Sequence, residues 1–457
     1  MAIVTPAPPA AGPLEGAPSA GLSPRRTTLM LKPVGAMCNL RCAYCYYLPV
    51  AEGYDAPAQR MGNDTLESIL AGYLPGAPDE VTISWQGGEP TLAGLGFYER
   101  MIDLVERHRR PTQRVNHAFQ TNGTRLDDRW AAFFAEHRFL IGVSLDGLTA
   151  DHDHYRTDTQ GRPTADRVLA GIDTLRRHRV EHNVLVVLND RNVRKPREVW
   201  ARLMNLGIDW VQFIPAVEWV RPHDAASIDD PEAWRLADFS PTGQAYGRFL
   251  VDVFDRWFAD HRTKVSVRLF DAILSAMVHG RATECTFAES CAGQVTLEHD
   301  GSVYACDHFV EPAWRLGKVG DDGVAVTLAG RSLELDTSDP EPLDDRWMRR
   351  LDADRFHRFG DRKGELADAC RRCEYLRLCH GGCPKHRPAR DEIIAPSALC
   401  DGYRAFFDHA VPRLEWLAGY LRRGVAPPPK APRELDPAAQ RRARSQAARF
   451  RPRRKRR

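Results

Sequence analysis

From residue 27 to about residue 215, short β-rich runs alternate with amphipathic helical patterns, and this alternation constrains the chain more than any other feature. The candidate strands lie at 28–32, 81–85, 117–121, 140–145, 183–188 and 210–215. Helical patterns fall between them at 65–73, 97–109, 128–136, 165–177 and 196–206. Two parallel strands cannot be joined by a tight turn and need a long crossover. Strand–helix repetition therefore predicts a parallel sheet with crossover helices. Six strands suit either a partial barrel or an open doubly wound sheet, and the pattern leaves both open. In both, functional groups gather at the carboxyl ends of the strands. Three of those ends carry polar or glycine-rich turns: Gln86-Gly87-Gly88-Glu89-Pro90, Asn122-Gly123 and Asp146-Gly147.

Beyond about residue 240 the alternation stops. Helical patterns at 243–261 and 269–279 precede a cysteine-rich stretch at 285–400 and a further helix at 402–422. The expected organisation is a disordered leader at 1–26, a first domain at 27–240, a second at 241–423 and a disordered basic tail at 424–457. The leader is rich in Ala, Pro and Gly and lacks the basic start and apolar core of a secretory signal. No apolar run approaches the length of a membrane span. A cytoplasmic protein with no membrane partner is expected. Ten Lys and Arg lie between 441 and 457 with no acid among them, so the net charge of +3 hides a mildly acidic body. The tail lacks aromatic interleaving and any recognisable binding module, which argues against a nucleic-acid partner.

The eleven cysteines are an odd number, which a complete disulfide framework cannot use. In a reducing compartment, clustered cysteines more often bind metal. Cys38, Cys42 and Cys45 follow the first strand directly. Three thiolates on one short loop can hold a metal centre whose fourth position stays open for a small molecule. Iron–sulfur clusters take such ligands; zinc is the alternative, although no suitable fourth ligand stands nearby. The other eight are Cys285, Cys291, Cys306, Cys370, Cys373, Cys379, Cys383 and Cys400. They divide into two sets of four, and the dense run from Cys370 to Cys383 would also suit a zinc module.

The C-x3-C-x2-C spacing, the aromatic Tyr44 before the last cysteine and the Gly87-Gly88-Glu89-Pro90 loop together resemble the radical S-adenosylmethionine superfamily. The resemblance implies a partial (β/α)6 TIM-like barrel, which chooses between the two architectures. It implies that Cys38, Cys42 and Cys45 hold a [4Fe–4S] cluster whose fourth iron binds S-adenosyl-L-methionine. Gln86, Gly87, Gly88, Glu89, Ser144 and Arg156 match positions that contact this cofactor. The later cysteines resemble the family's C-terminal SPASM extension, which carries two more [4Fe–4S] clusters, making three. By motif position, one would use Cys285, Cys291, Cys306 and Cys383. The other would use Cys370, Cys373, Cys379 and Cys400.

Within the superfamily the chain resembles anaerobic sulfatase-maturating enzymes over roughly residues 28–420. The carrying segments include Cys42–Leu48, Gln212–Pro215, Tyr304–Asp307, Leu378–Lys385 and Leu399–Tyr403. Such enzymes oxidise a Cys or Ser of a sulfatase polypeptide to Cα-formylglycine. Asp307 stands at the family's base position, where a carboxylate within hydrogen-bond reach accepts the target's proton. Tyr47 corresponds to a tyrosine near cofactor and substrate. The implied partners are the sulfatase polypeptide and an electron donor such as ferredoxin or flavodoxin, with the enzyme itself a monomer. A SPASM peptide maturase forming thioether or C–C crosslinks is the nearest alternative, and a non-catalytic zinc-binding scaffold is the alternative of another class.

Overall fold

A computed structural model describes residues 27–52, 60–220, 234–262, 264–291, 293–319, 348, 351–388 and 394–428. The expected leader and most of the expected basic tail lie outside the described residues. All six expected strands form: β1 (Thr28–Leu31), β2 (Glu80–Trp85), β3 (Arg114–Thr121), β4 (Leu140–Ser144), β5 (His182–Leu188) and β6 (Trp210–Pro215). β3 begins three residues earlier than expected. Its polar start, Arg114–Asn116, carries little strand signal of its own but pairs with Glu80, Val81 and Thr82 of β2.

The connections are α1 (Leu48–Glu52) with α2 (Asn63–Tyr73), then α3 (Leu95–His108), α4 (Asp128–Glu136), α5 (Thr149–Tyr155) with α6 (Ala165–Arg177), and α7 (Pro196–Asn205). Each crossover helix buries one stripe. In α2 it is Leu66, Ile69, Leu70 and Tyr73, and in α7 it is Val199, Trp200 and Leu203. These spacings follow the 3.6-residue turn and turn the apolar face toward the sheet. α4 starts where Asp127 accepts a hydrogen bond from the Trp130 amide at 3.0 Å, and α7 starts at Pro196.

The strands lie side by side in the order β1-β2-β3-β4-β5-β6, each pair parallel. A doubly wound sheet reverses its strand order at a switch point. No reversal occurs here, so all crossovers keep one sense and the core is a partial (β/α)6 barrel.

The sheet does not end where the alternation ends. A small antiparallel pair, β7 (Trp219–Val220) with β8 (Arg235–Leu236), leads to α8 (Gly243–Arg256). β9 (Ser266–Val267) then pairs in parallel with β6, and α9 (Arg268–His279) follows. β10 (Gln294–Leu297) pairs in parallel with β1, on the edge opposite β2, and continues as an antiparallel meander with β11 (Ser302–Tyr304) and β12 (Arg315–Lys318). Among the described residues, those beyond 240 thus extend the barrel sheet at both edges to ten strands. The expected helix at 243–261 is α8 continued by a wider π turn over Trp257–His261. The long C-terminal helix runs Cys400–Arg422 and packs along α8. Among the described residues, no helix is long and apolar enough to cross a membrane.

Candidate active site

The loop after β1 turns twice, through Gly35 N–H to Lys32 O and Met37 N–H to Val34 O, both at 3.0 Å. It is then stitched to the chain after α5. Arg41 N–H donates to Thr157 O (2.8 Å), and Ala43 N–H donates to Tyr155 O (3.0 Å). Cys38, Cys42 and Cys45 are all free thiols on this loop. Cys38 Sγ accepts from Leu40 N–H at 3.3 Å and from the Asn122 amide at 3.8 Å. Burial pushes the Cys38 thiol up to about 12 and the Cys42 thiol up to about 11, and it raises Cys45 as well. Such thiols give up their protons only to a cation that binds them in exchange, which is what a metal centre supplies.

The glycine turn after β2 lies directly against this loop. Gly88 N–H donates to Gly35 O, and Glu89 N–H donates to Met37 O, each at 2.8 Å. A Cβ on Gly88 would stand 2.0 Å from Met37 O, so no larger residue lets the two backbones approach this closely. Gln86 N–H donates to Leu31 O at 2.9 Å and fixes the start of the turn. Glu89 is fully buried. Its carboxylate accepts from Thr91 N–H (3.1 Å), Thr91 Oγ1 (2.7 Å), Thr121 Oγ1 (2.8 Å) and Asn122 N–H (2.7 Å). Burial raises its pKa despite those four bonds. Three of these bonds converge on Oε1 and one reaches Oε2, so Glu89 ties the ends of β2 and β3 together while Oε2 keeps an acceptor position for a ligand.

Ser144 is buried at the end of β4, and Arg156 is buried just after α5. Arg156 Nη1 donates to Tyr44 OH at 3.0 Å, and Tyr44 OH donates in turn to Asp146. Asp146 also accepts from Val187 N–H at 3.0 Å. The guanidinium thus hangs beside Cys42 on a fixed relay, with its Nε buried and without a hydrogen-bond partner. A buried donor of this kind, beside the Cys42 and Cys45 thiols, suits a carboxylate-bearing ligand.

Asp307 comes from the turn after β11, far along the chain, yet it reaches the cysteine loop. Tyr46 OH donates to its Oδ2 at 2.9 Å, and Lys32 Nζ lies 4.0 Å from the same oxygen. Burial alone would raise the Asp307 carboxyl. The attraction of His308 and Lys32 and the bonds from Tyr46 and Cys306 outweigh it and hold the group at about 2. His308 is itself pushed down to about 4 by burial and is uncharged at neutral pH, which leaves Lys32 as the charge that matters. Tyr47 is buried beside them, with Lys32 Nζ 4.1 Å from its ring centroid and its hydroxyl donating to Glu298 in the β10–β11 turn.

The remaining cysteines gather in two groups. Cys285 faces Cys383, Cys291 faces Cys285, and Cys306 faces both Cys383 and Cys285, close enough that a charge on one disfavours a charge on the next. In the second group Cys370 faces Cys373, and Cys400 faces both of these. Cys370, Cys373, Cys379 and Cys400 all line one cavity of about 260 Å³. Among the described residues, no three Cys, His, Asp or Glu side chains converge as ligands of a single metal ion do. A cluster of several irons makes no such demand, since each thiolate binds a different iron. The three thiols, the glycine cradle, the orphaned Arg156 donor and the cysteine-lined cavity fit the cofactors expected from the motifs.

Lys32, Tyr44, Tyr46, Asp146, Asn122 and Glu298 also stand in the site. In the sequence, Asp146 and Asn122 had a signal, since both stand in strand-end turns. Lys32 had a weaker one, a lone charge closing the apolar run Leu29-Met30-Leu31.

Residues 33–212 match the radical SAM superfamily. The chain is 33% identical over 408 residues to the serine-type anaerobic sulfatase-maturating enzyme of Bacteroides thetaiotaomicron, covering 87% of this chain and 93% of that one. It is 30% identical over 401 residues to the cysteine-type anaerobic sulfatase-maturating enzyme of Clostridium perfringens, covering 86% and 99%. A solved structure, native anSMEcpe with bound AdoMet and Cp18Cys peptide, superposes with a TM-score of 0.72 at 29% identity, covering 86% of this chain and 99% of that one.

Proposed function

The chain belongs to the anaerobic sulfatase-maturating enzymes of the radical SAM superfamily, and from that premise we propose that it oxidises a Cys or Ser of a sulfatase polypeptide to Cα-formylglycine. The observation that carries the reading is the meeting of Asp307 with the cysteine loop, through Tyr46 and Lys32, at the carboxyl ends of the strands. In this reading Cys38, Cys42 and Cys45 hold a [4Fe–4S] cluster. Gln86, Gly87, Gly88, Glu89, Ser144 and Arg156 would hold S-adenosyl-L-methionine, and Glu89 also keeps the glycine turn in place. Together these cofactors supply the one-electron chemistry that removes a hydrogen atom from the target Cβ.

Asp307 accepts the thiol or hydroxyl proton of the target. Despite burial, its carboxyl is held below the ordinary value by Lys32 and the Tyr46 bond, so it is ionised at neutral pH and has a lone pair to accept the proton as the target is oxidised. The Tyr46 bond aims one of its oxygens, and Tyr47 closes the wall beside it. Cys285, Cys291, Cys306 and Cys383 would hold a second cluster, and Cys370, Cys373, Cys379 and Cys400 a third. With every iron ligated, these two serve structure or electron transfer. The barrel unit, 27–240, and the SPASM unit, 241–423, divide the work in this way. The electron donor is a ferredoxin or flavodoxin, and the enzyme acts as a cytoplasmic monomer.

The test is to incubate the reconstituted, reduced protein and S-adenosyl-L-methionine with peptides containing Cys-x-Pro-x-Arg or Ser-x-Pro-x-Arg. An aldehyde adduct with 5′-deoxyadenosine is expected from at least one peptide. Formation of 5′-deoxyadenosine with no aldehyde from either would sink the sulfatase assignment and favour a crosslinking peptide maturase. Zinc without sulfide would leave only the scaffold.

A further inference from the structure

Lys363 lies in the turn after the helix Ala353–Asp361 and is 1% exposed. Its Nζ donates to Cys285 O at 2.7 Å, Thr286 O at 2.7 Å and Gly382 O at 3.1 Å. A neutral amine has two N–H groups and a lone pair, and the lone pair would repel a third carbonyl. Three acceptors therefore require the ammonium, which has three donors. The three carbonyls satisfy its hydrogen bonds, but they bring no counter-charge. A buried charge is retained only where an opposite charge compensates it.

Among the described residues no carboxylate pairs with Lys363. The groups of acidic type facing it are the thiols of Cys291, Cys383 and Cys285, with Cys379 of the other group facing it more weakly, and the other cation nearby is Arg387. Arg387 Nη2 donates to Lys363 O at 2.9 Å and holds the turn from behind. The carbonyls that clamp the ammonium belong to Cys285 and to the residues beside Cys285 and Cys383. Lys363 is thus fixed to the same backbone that carries the thiols.

We propose that Lys363 is the built-in counter-cation of the centre held by Cys285, Cys291, Cys306 and Cys383, a positioning residue that stabilises the reduced form of that centre and sets its potential. The inference rests on the cluster reading above. A four-thiolate iron centre is anionic, and net charge and hydrogen bonding around the sulfurs set its potential. A positive charge fixed nearby in a poorly screened interior favours the form with one more electron. Cys306 precedes Asp307 in the chain, so the centre tuned by Lys363 is the one beside the proton acceptor.

The experiment is an EPR-monitored redox titration of the full, reconstituted chain, with iron and sulfide counted in every sample. Lys363→Met and Lys363→Gln both remove the charge, and Gln keeps two N–H donors. The expected result is about twelve irons per chain in each. One auxiliary midpoint potential falls in both variants, the other auxiliary centre moves less, the three-cysteine centre stays near wild type, and Lys363→Arg restores the lost value. Unmoved potentials with full iron would overturn the inference and leave the cluster reading intact. A wild type with only about four irons would overturn both. If both neutral variants lose one centre and Lys363→Arg keeps it, the charge is required and the inference stands. If Lys363→Arg loses it too, the carbonyl geometry rather than the charge decides, and the inference fails.

Discussion

Asp307 is oriented by its own protein before any substrate arrives. Tyr46 donates to one of its carboxylate oxygens, the Cys306 thiol lies 3.6 Å from the other, and Lys32 supplies the facing charge. Asp307→Asn keeps the shape and removes the proton acceptor. It should lower aldehyde formation by roughly 10²-fold or more, with iron content unchanged and 5′-deoxyadenosine still formed; wild-type aldehyde yield would remove Asp307 from the reaction. At this scale the sequence was informative about residue types and less so about their tasks. The resemblance places Glu89 at the cofactor, and the fold adds a second task, since its four protein hydrogen bonds also tie β2 to β3. Nothing in a motif says which further partners a carboxylate has. Likewise, Lys32 reads as a chain-end charge until the fold sets it against Tyr47 and Asp307.

The elements of the barrel were legible because each carries its own periodic signal. The strands are short apolar runs, and the crossover helices show buried stripes at helical spacing. β9 and the β10–β12 meander were not legible. β9 is only two residues long, and β10 joins the barrel by pairing with β1, some 265 residues earlier, as the Thr28 hydroxyl bonded to Gly293 O illustrates. Pairing over such a separation leaves no local trace. The contact between α8 and the C-terminal helix is set by glycines. A Cβ on Gly402 would lie 2.2 Å from Gly243 O and 2.9 Å from Gly247 N. Gly402→Ala should force the two helices apart and cost about 1–3 kcal/mol. Since Cys400 stands two residues before it, the variant should also lose iron from the cysteine-lined cavity. A melting temperature and iron content equal to wild type would show that the crossing tolerates the methyl group.

For the whole molecule, the two cysteine groups draw together segments from 285 to 400, and the barrel borrows β9 and β10 from the same half of the chain. The described residues between 285 and 399 contain few long elements, so much of the order of this stretch depends on what the thiols hold. Stripping iron should therefore lower the melting temperature and open the stretch between 285 and 399 to protease before the β1–β6 barrel. Equal protease resistance with and without iron would show that packing alone keeps this half folded. The buried ion pair Lys385–Glu218, at 2.8 Å, adds a fixed link between the residue before β7 and the turn after Cys383.

By itself the sequence determined the parallel α/β character and the three-cysteine loop. Alternation and spacing are local properties, and they survive in a linear string. Tertiary structure decided that the sheet runs β1 to β6 without reversal and continues at both edges. It also decided that Asp307 meets Tyr46 and Lys32, and that Lys363 is clamped among carbonyls with only thiols to face its charge. Burial and long-range approach create those relations, and neither is written at any one position of the chain.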